Sequence, residues 1–194
     1  MRLFRVTETR PQDLGQRGFT LIELIVTVAV LAIVVAMAAP AFNGMIANNR
    51  SAGMASELVA TLNYARSESI RQAKRVSICP STNGTSCLAS ADDWAKGWLV
   101  FVDLANSDSA AVSVGTVLRY WDKLDKKAVV SLKKKATAIS YLRFNSKGML
   151  ARSKTSDTDV RTFEAYVSGC RGDAGRRITV GVTGFVSSSK STCP

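Results

Sequence analysis

The sequence predicts an α+β fold, one long N-terminal helix followed by a C-terminal region of short antiparallel strands. Two observations carry this. Between Arg17 and Arg50 the only charged residue is Glu23, so the apolar residues are concentrated in one early run. From Val76 onward the helical period gives way to short apolar runs separated by turn signals. A length of 194 residues suits about one ordinary domain. A long helix followed by antiparallel strands belongs to the α+β class.

Residues 19–42 read FTLIELIVTVAVLAIVVAMAAPAF. The run is long enough to cross a bilayer as a helix and is apolar all round, as lipid requires. It exceeds the ~7–15-residue core of a cleaved secretory signal, and Ala36-Met37-Ala38 is only a loose cleavage match. Positive charge ahead of it places the N-terminus in the cytoplasm and the C-terminal bulk outside. Glu23 is costly in such a helix and marks a site with a partner. A chain cut between Gly18 and Phe19 would carry a new α-ammonium at Phe19, which Glu23 of a neighbouring subunit could neutralise. Pro40 removes a backbone donor and is expected to bend the helix.

Residues 43–75 continue as an amphipathic helix, with Met54, Leu58, Leu62 and Ala65 at helical spacing and Glu57, Arg66, Glu68 and Arg71 on other faces. Expected strands lie at 76–79, 98–103, 117–120, 128–132, 139–144, 163–167, 178–182 and 185–188. Asn83-Gly84, residues 106–108, Lys147-Gly148 and residues 172–175 read as turns, and residues 105–116 and 151–161 as exposed loops.

Arg17-Gly18-Phe19-Thr20-Leu21-Ile22-Glu23-Leu24, with its basic leader and unbroken apolar helix, resembles the class III signal of type IV pilins and type II secretion pseudopilins. The resemblance implies a type IV pilin-like fold and a leader, residues 1–18, removed by prepilin peptidase after Gly18. It further implies N-methylation of Phe19, subunit alignment by Glu23, and Pro40 as the helix-kink proline. Residues 19–42 would then form the membrane and filament-core helix, 43–75 its amphipathic extension, and 76–194 a periplasmic β-rich head.

The later motifs narrow the resemblance to the GspH/FimT-type minor pilins and pseudopilins. These are Leu62-Asn63-Tyr64-Ala65-Arg66-Ser67-Glu68-Ser69-Ile70, Val76-Ser77-Ile78-Cys79-Pro80, Trp94, Gly97-Trp98-Leu99-Val100-Phe101 and Phe144-Asn145-Ser146-Lys147-Gly148. What this implies is a minor pilin that co-assembles with other minor pilins and major pilin on an inner-membrane platform to initiate or cap the pilus, supporting pilus biogenesis, twitching and adhesion. Such a chain would wait in membrane lipid as a single-pass protein before entering a surface pilus. The alternatives are a minor pseudopilin of a type II secretion system, within a periplasmic pseudopilus, and a DNA-binding minor pilin for natural transformation.

Four cysteines, Cys79, Cys87, Cys170 and Cys193, suggest two disulfides in an exported domain. Three pairings are possible, and Cys79–Cys87 with Cys170–Cys193 closes the two local loops. The close Cys pairs of a four-thiolate zinc site and the Cys-x-x-Cys of a redox pair are both missing.

Catalytic residues, metal ligands and cofactors are not expected. There is no histidine, which excludes Ser-His-Asp and Cys-His chemistry within the chain. Residues 172–175 lack a Walker lysine, and Asp92-Asp93 and Asp157-x-Asp159 lack calcium-loop spacing and read as solvated turns. Net charge is +11, and residues 119–194 hold 16 basic against six acidic residues. Lys133, Lys134, Lys135, Arg171, Arg176 and Arg177 are the candidates for phosphate contacts with DNA. DNA-binding members of the resembling family carry a Gly-Arg-x-Arg element in a late strand turn, where this chain reads Gly184-Phe185-Val186-Ser187.

Overall fold

A computed structural model describes residues 18–152 and 156–194, with the side chains of residues 39–41 excepted. Residues 1–17 of the expected leader, Arg17 included, lie outside the described residues. So does the Pro40 side chain, although the backbone there is helical.

Helix α1 runs Leu21–Gln72. The chain divides into two compact units, residues 1–40 and residues 41–194. In the first unit the described helix is exposed from Leu21 to Met37, and none of its large apolar side chains is covered by another of the described residues. It is long and apolar enough to cross a membrane.

In the second unit α1 turns one stripe inward. Ala47, Ser51, Met54, Ala55, Leu58, Leu62 and Ala65 are buried at intervals of three and four residues. Two antiparallel sheets receive that stripe. Strands β1 (Val76–Pro80), β2 (Trp98–Asp103), β3 (Val114–Trp121) and β6 (Leu142–Phe144) form one, in the order β3-β2-β1-β6. Strands β4 (Ala128–Lys134), β5 (Thr137–Ala138), β7 (Arg161–Val167), β8 (Gly175–Val180) and β9 (Val186–Ser191) form the other, ordered β5-β4-β7-β8-β9. Helix and sheets share one core that includes Ile78, Trp98, Val100, Leu132, Phe144, Phe163 and Ile178.

Every residue of β1 and β2 is buried, so both faces of these central strands are covered. A smaller cluster of Cys79, Leu99 and Phe101, with Tyr120 and Tyr141 against it, covers the outer face. The Cys79–Cys87 disulfide anchors the β1–β2 connection there. Within that connection a short 3-10 turn, Asp93–Lys96, sends Trp94 into the core. Its indole N–H donates to Ile139 O at 3.2 Å, and its ring meets Phe163 edge-on at 5.0 Å. The Trp98 indole N–H donates to Thr61 Oγ1 of α1 at 3.3 Å. The Cys170–Cys193 disulfide fixes the chain end beside the start of β8.

Several element limits differ from the sequence expectation. Residues 105–116 are not all exposed loop: Ala105 is buried, and β3 begins at Val114, which packs on the smaller cluster. Residues 151–161 likewise contain buried Ala151 and Arg161, the latter opening β7. The expected strand at 139–144 shortens to β6, because residues 137–138 fold back on β4 through Lys135, whose φ is +54°. Strand β8 starts at Gly175, inside the expected turn, and β9 continues to Ser191. Pairing with a neighbour extends these polar edges where apolar periodicity is silent.

Candidate functional site

At its first turn α1 carries the expected assembly residues. Phe19 is 83% exposed. Glu23 N donates to Thr20 Oγ1 at 3.3 Å, and Thr20 N donates back to Glu23 Oε2 at 3.4 Å. This is a reciprocal capping box, in which each side chain serves a backbone N–H that the helix leaves unpaired. Glu23 is also the acid in the first turn, where the helix dipole favours negative charge. Cleavage after Gly18 would leave the Phe19 amine four residues ahead of this carboxylate.

The six basic candidates separate into two groups. Lys133 Nζ lies 2.8 Å from Glu164 Oε2, and Arg177 reaches the other oxygen of Glu164 at 3.5 Å. The hydrogen bond from Lys133 leads in holding Glu164 below the usual carboxylate range, against its burial. Lys134 Nζ is 2.5 Å from Asp157 Oδ2, and Lys135 Nζ is 3.2 Å from Asp159 Oδ1. Arg161 adds a longer contact to Asp157 at 3.6 Å. Lys134 draws the Asp157 carboxyl down to about 2. Asp157 and Asp159 are therefore the counter-charges of the lysine run; the reading of them as solvated turn residues is corrected. Arg171 and Arg176 have no ion pair to an acid among the described residues.

Arg171 and Arg176 sit together on a different end of the head. Arg171 N donates to Asn48 Oδ1 at 2.9 Å, and its side chain crosses Gly44, its Cδ 3.3 Å from where a Cβ would lie. Arg176 pairs across β8–β9 with Lys190. These residues, with Asn48, Asn49 and Asp173, line an open crevice of about 300 Å³. At the position of the family's Gly-Arg-x-Arg element, Gly184 is buried with φ +79°, and a Cβ there would collide with Gly148 O. Phe185 beside it is 64% exposed.

Sequence reasoning missed one built site. Arg143 on β6 and Asp103 on β2 form an ion pair that the fold buries completely. Asp103 Oδ2 accepts from Ser77 Oγ at 2.6 Å and Arg143 Nε at 2.8 Å, while Oδ1 accepts from the backbone N–H of Ala105 and Ser113 at 2.9 Å each. Burial pushes this carboxyl up, but the combined hydrogen bonds outweigh it and hold it below the usual range. Arg143 Nη1 donates to the carbonyls of Ser107, Asp108 and Ala110 at 2.8–3.1 Å. Arg143 Nη2 lies 2.7 Å from Asp103 Oδ2 without hydrogen-bond alignment, so that contact is electrostatic. The pair pins the 104–113 connection to the sheet. Its signal in the sequence was a single cation within the Tyr141–Phe144 run and an acid closing the apolar β2.

Among the described residues no group of three or more Cys, Asp or Glu side chains is placed to hold a metal ion.

Residues 54–184 match the family described as type II transport protein GspH, and residues 14–39 match the prokaryotic N-terminal methylation motif. Two crystal forms of the type IV minor pilin FimU of Pseudomonas aeruginosa strain PAO1 are similar in structure, each at 26% sequence identity. One aligns over 75% of this chain and 90% of its own with a TM-score of 0.51; the other over 72% and 97% with a TM-score of 0.50. No curated protein sequence matches. Proteins of this family and fold are pilin-type structural subunits. The long helix with its capped Glu23, the two antiparallel sheets packed on its second half, and these matches place the chain in the GspH family of type IV minor pilins and pseudopilins.

Proposed function

We propose that the chain is the precursor of a minor type IV pilin that primes or caps a pilus together with other minor pilins and major pilin. Prepilin peptidase removes residues 1–18, and Phe19 becomes the N-methylated first residue. Residues 19–42 hold the subunit in the inner membrane with its head in the periplasm until the assembly platform extracts it.

The observation that carries this reading is the helix from Leu21 to Met37. Its large apolar side chains are exposed with nothing among the described residues to cover them, and its one charge sits in the first turn. Such a surface is satisfied by lipid and, after assembly, by other helices of the same kind. Glu23 then neutralises the Phe19 ammonium of a neighbour, because an unpaired ion in that setting is expensive.

Mass spectrometry of filaments sheared from the cell surface tests the proposal. The expected result is a chain beginning at methylated Phe19; a chain missing from the filaments, or recovered without its apolar helix, overturns it.

A second reading, a minor pseudopilin of a type II secretion system, is favoured by the family description. It predicts that deletion of the chain blocks protein secretion while surface pili stay normal. The third, DNA capture, has four of its six nominated cations paired with acids, leaving Arg171 and Arg176 without an acidic partner among the described residues, and gel shift of the whole chain at low and high salt tests it.

A further inference from the structure

We infer that the base of the head carries a binding site for the phosphate of an anionic phospholipid, built by Arg171, Arg176 and Lys190. The inference rests on the reading of residues 19–42 as a membrane span and adds a second, lipid-selective contact to it.

Charge is the first argument. Arg176 and Lys190 stand directly opposite each other on β8 and β9, an arrangement of like charges that costs stability unless an anion intervenes. Arg171 joins them in the same crevice of about 300 Å³. The other nominated cations all have carboxylate partners, whereas none of these three has one among the described residues. The acid nearby, Asp173, accepts from Thr192 Oγ1 at 3.2 Å. Arg176 Nη1 is spent on the carbonyls of Asp173, Ala174 and Gly175, which fixes its guanidinium in place beside the crevice.

Position is the second argument. Arg171 is tied to Gly44 and Asn48, within the first turns of the helix after Pro40. At 1.5 Å per residue, Gly44 lies only about 6 Å along the helix beyond that proline. Gly44 follows the end of the apolar run at residue 42 by two residues, so chain connectivity alone keeps the side chain that crosses it, Arg171, close to where that run leaves the hydrocarbon. Phe42, Met45 and Ile46, exposed at 59%, 57% and 48%, occupy the same turns. Exposed apolar side chains on the turns that leave the bilayer are what a membrane-interface segment carries.

The test uses the full chain reconstituted in vesicles of phosphatidylcholine, or of phosphatidylcholine with about 30 mol% phosphatidylglycerol. Lys190 is acylated with an uncharged reagent and quantified by mass spectrometry. Lys147, beside Ala73 and Lys74 at the far end of the helix, is the internal control. Lys190 is expected to react about fivefold more slowly in the anionic vesicles, with Lys147 unchanged and the difference lost at high salt. Arg171→Ala with Arg176→Ala should restore the neutral-vesicle rate. Equal Lys190 rates in the two vesicles, or full protection in the double variant, overturns the site. Slowing by a short duplex DNA in neutral vesicles, without slowing by phosphatidylglycerol, assigns the cations to nucleic acid and also overturns it. An alkaline carbonate wash separates the two levels. A chain that stays in both vesicles but shows no difference at Lys190 loses only the lipid site. A chain that washes off loses the membrane reading, and this inference with it.

Discussion

Arg143 and Asp103 face each other across Ser77, on the two strands that flank β1, with side chains 1% and 0% exposed. Neither charge reaches water, so each depends on the other and on the carbonyls and N–H groups around them. Removing one partner leaves a buried ion. Arg143→Ala is expected to cost about 3–5 kcal/mol in urea unfolding of the whole chain in detergent. The double variant with Asp103→Ala should cost clearly less than the two single losses added, with a coupling of about 0.5–3 kcal/mol. Additive losses would show that the two side chains do not act as a pair.

The Lys134–Asp157 contact makes stability depend on acid. Asp157 titrates at about 2 in the fold against 3.8 for a free side chain. A depressed carboxyl contributes its full stability above the free value and loses it as pH falls through the folded one. Asp103 and Glu164 are shifted in the same direction. The chain should therefore weaken progressively from about pH 4 towards pH 2. Asp157→Asn should be less stable at neutral pH and show a shallower decline, measured as urea midpoints at a series of pH values. An unchanged slope would mean that the Lys134 contact contributes nothing.

Cys170–Cys193 closes a separation of 23 residues and ties the end of the chain to the loop before β8. On the chain-entropy account a loop of this size is worth about 3 kcal/mol. Cys170→Ser with Cys193→Ser should lower stability by that order and loosen Arg171, whose backbone N–H is held by Asn48. Amide exchange at Arg171 is the readout. An exchange rate matching the disulfide-bonded chain would show that the helix contact alone fixes this loop.

The parts of the fold legible in the sequence are those governed by local period. The change at α1 from apolar all round to a single inward stripe follows from Met54, Leu58, Leu62 and Ala65, all of them buried or nearly so. The central strands announce themselves as apolar runs. Edges were less legible: β9 reads Val-Ser-Ser-Ser-Lys-Ser and is a strand because β8 offers it a ladder. Arg143 was illegible for a different reason. It falls among Tyr141, Leu142 and Phe144 like any outward residue, and its partner lies 40 residues earlier. Only the pairing of β2 and β6 on either side of β1 brings the two charges together. The same holds for the lysine run at 133–135, which looks like an open phosphate surface until β7 and the turn before it supply Glu164, Asp157 and Asp159.

Glu23 combines two roles that substitution can separate. Its carboxylate caps its own helix through Thr20 N, and in assembly it is proposed to neutralise the Phe19 ammonium of another subunit. Glutamine can still accept the capping hydrogen bond, because a capping box tolerates either residue, but it carries no charge. Alanine removes both functions. If charge is what aligns subunits, Glu23→Gln and Glu23→Ala should both be cleaved and methylated normally yet enter filaments roughly tenfold less often than wild type, because an unpaired ammonium must stay out of the lipid-like core. If the cap is what counts, Glu23→Gln will assemble normally and only Glu23→Ala will fail. Quantitative mass spectrometry of sheared filaments against whole-cell membranes distinguishes the two, and normal entry of Glu23→Ala removes both roles.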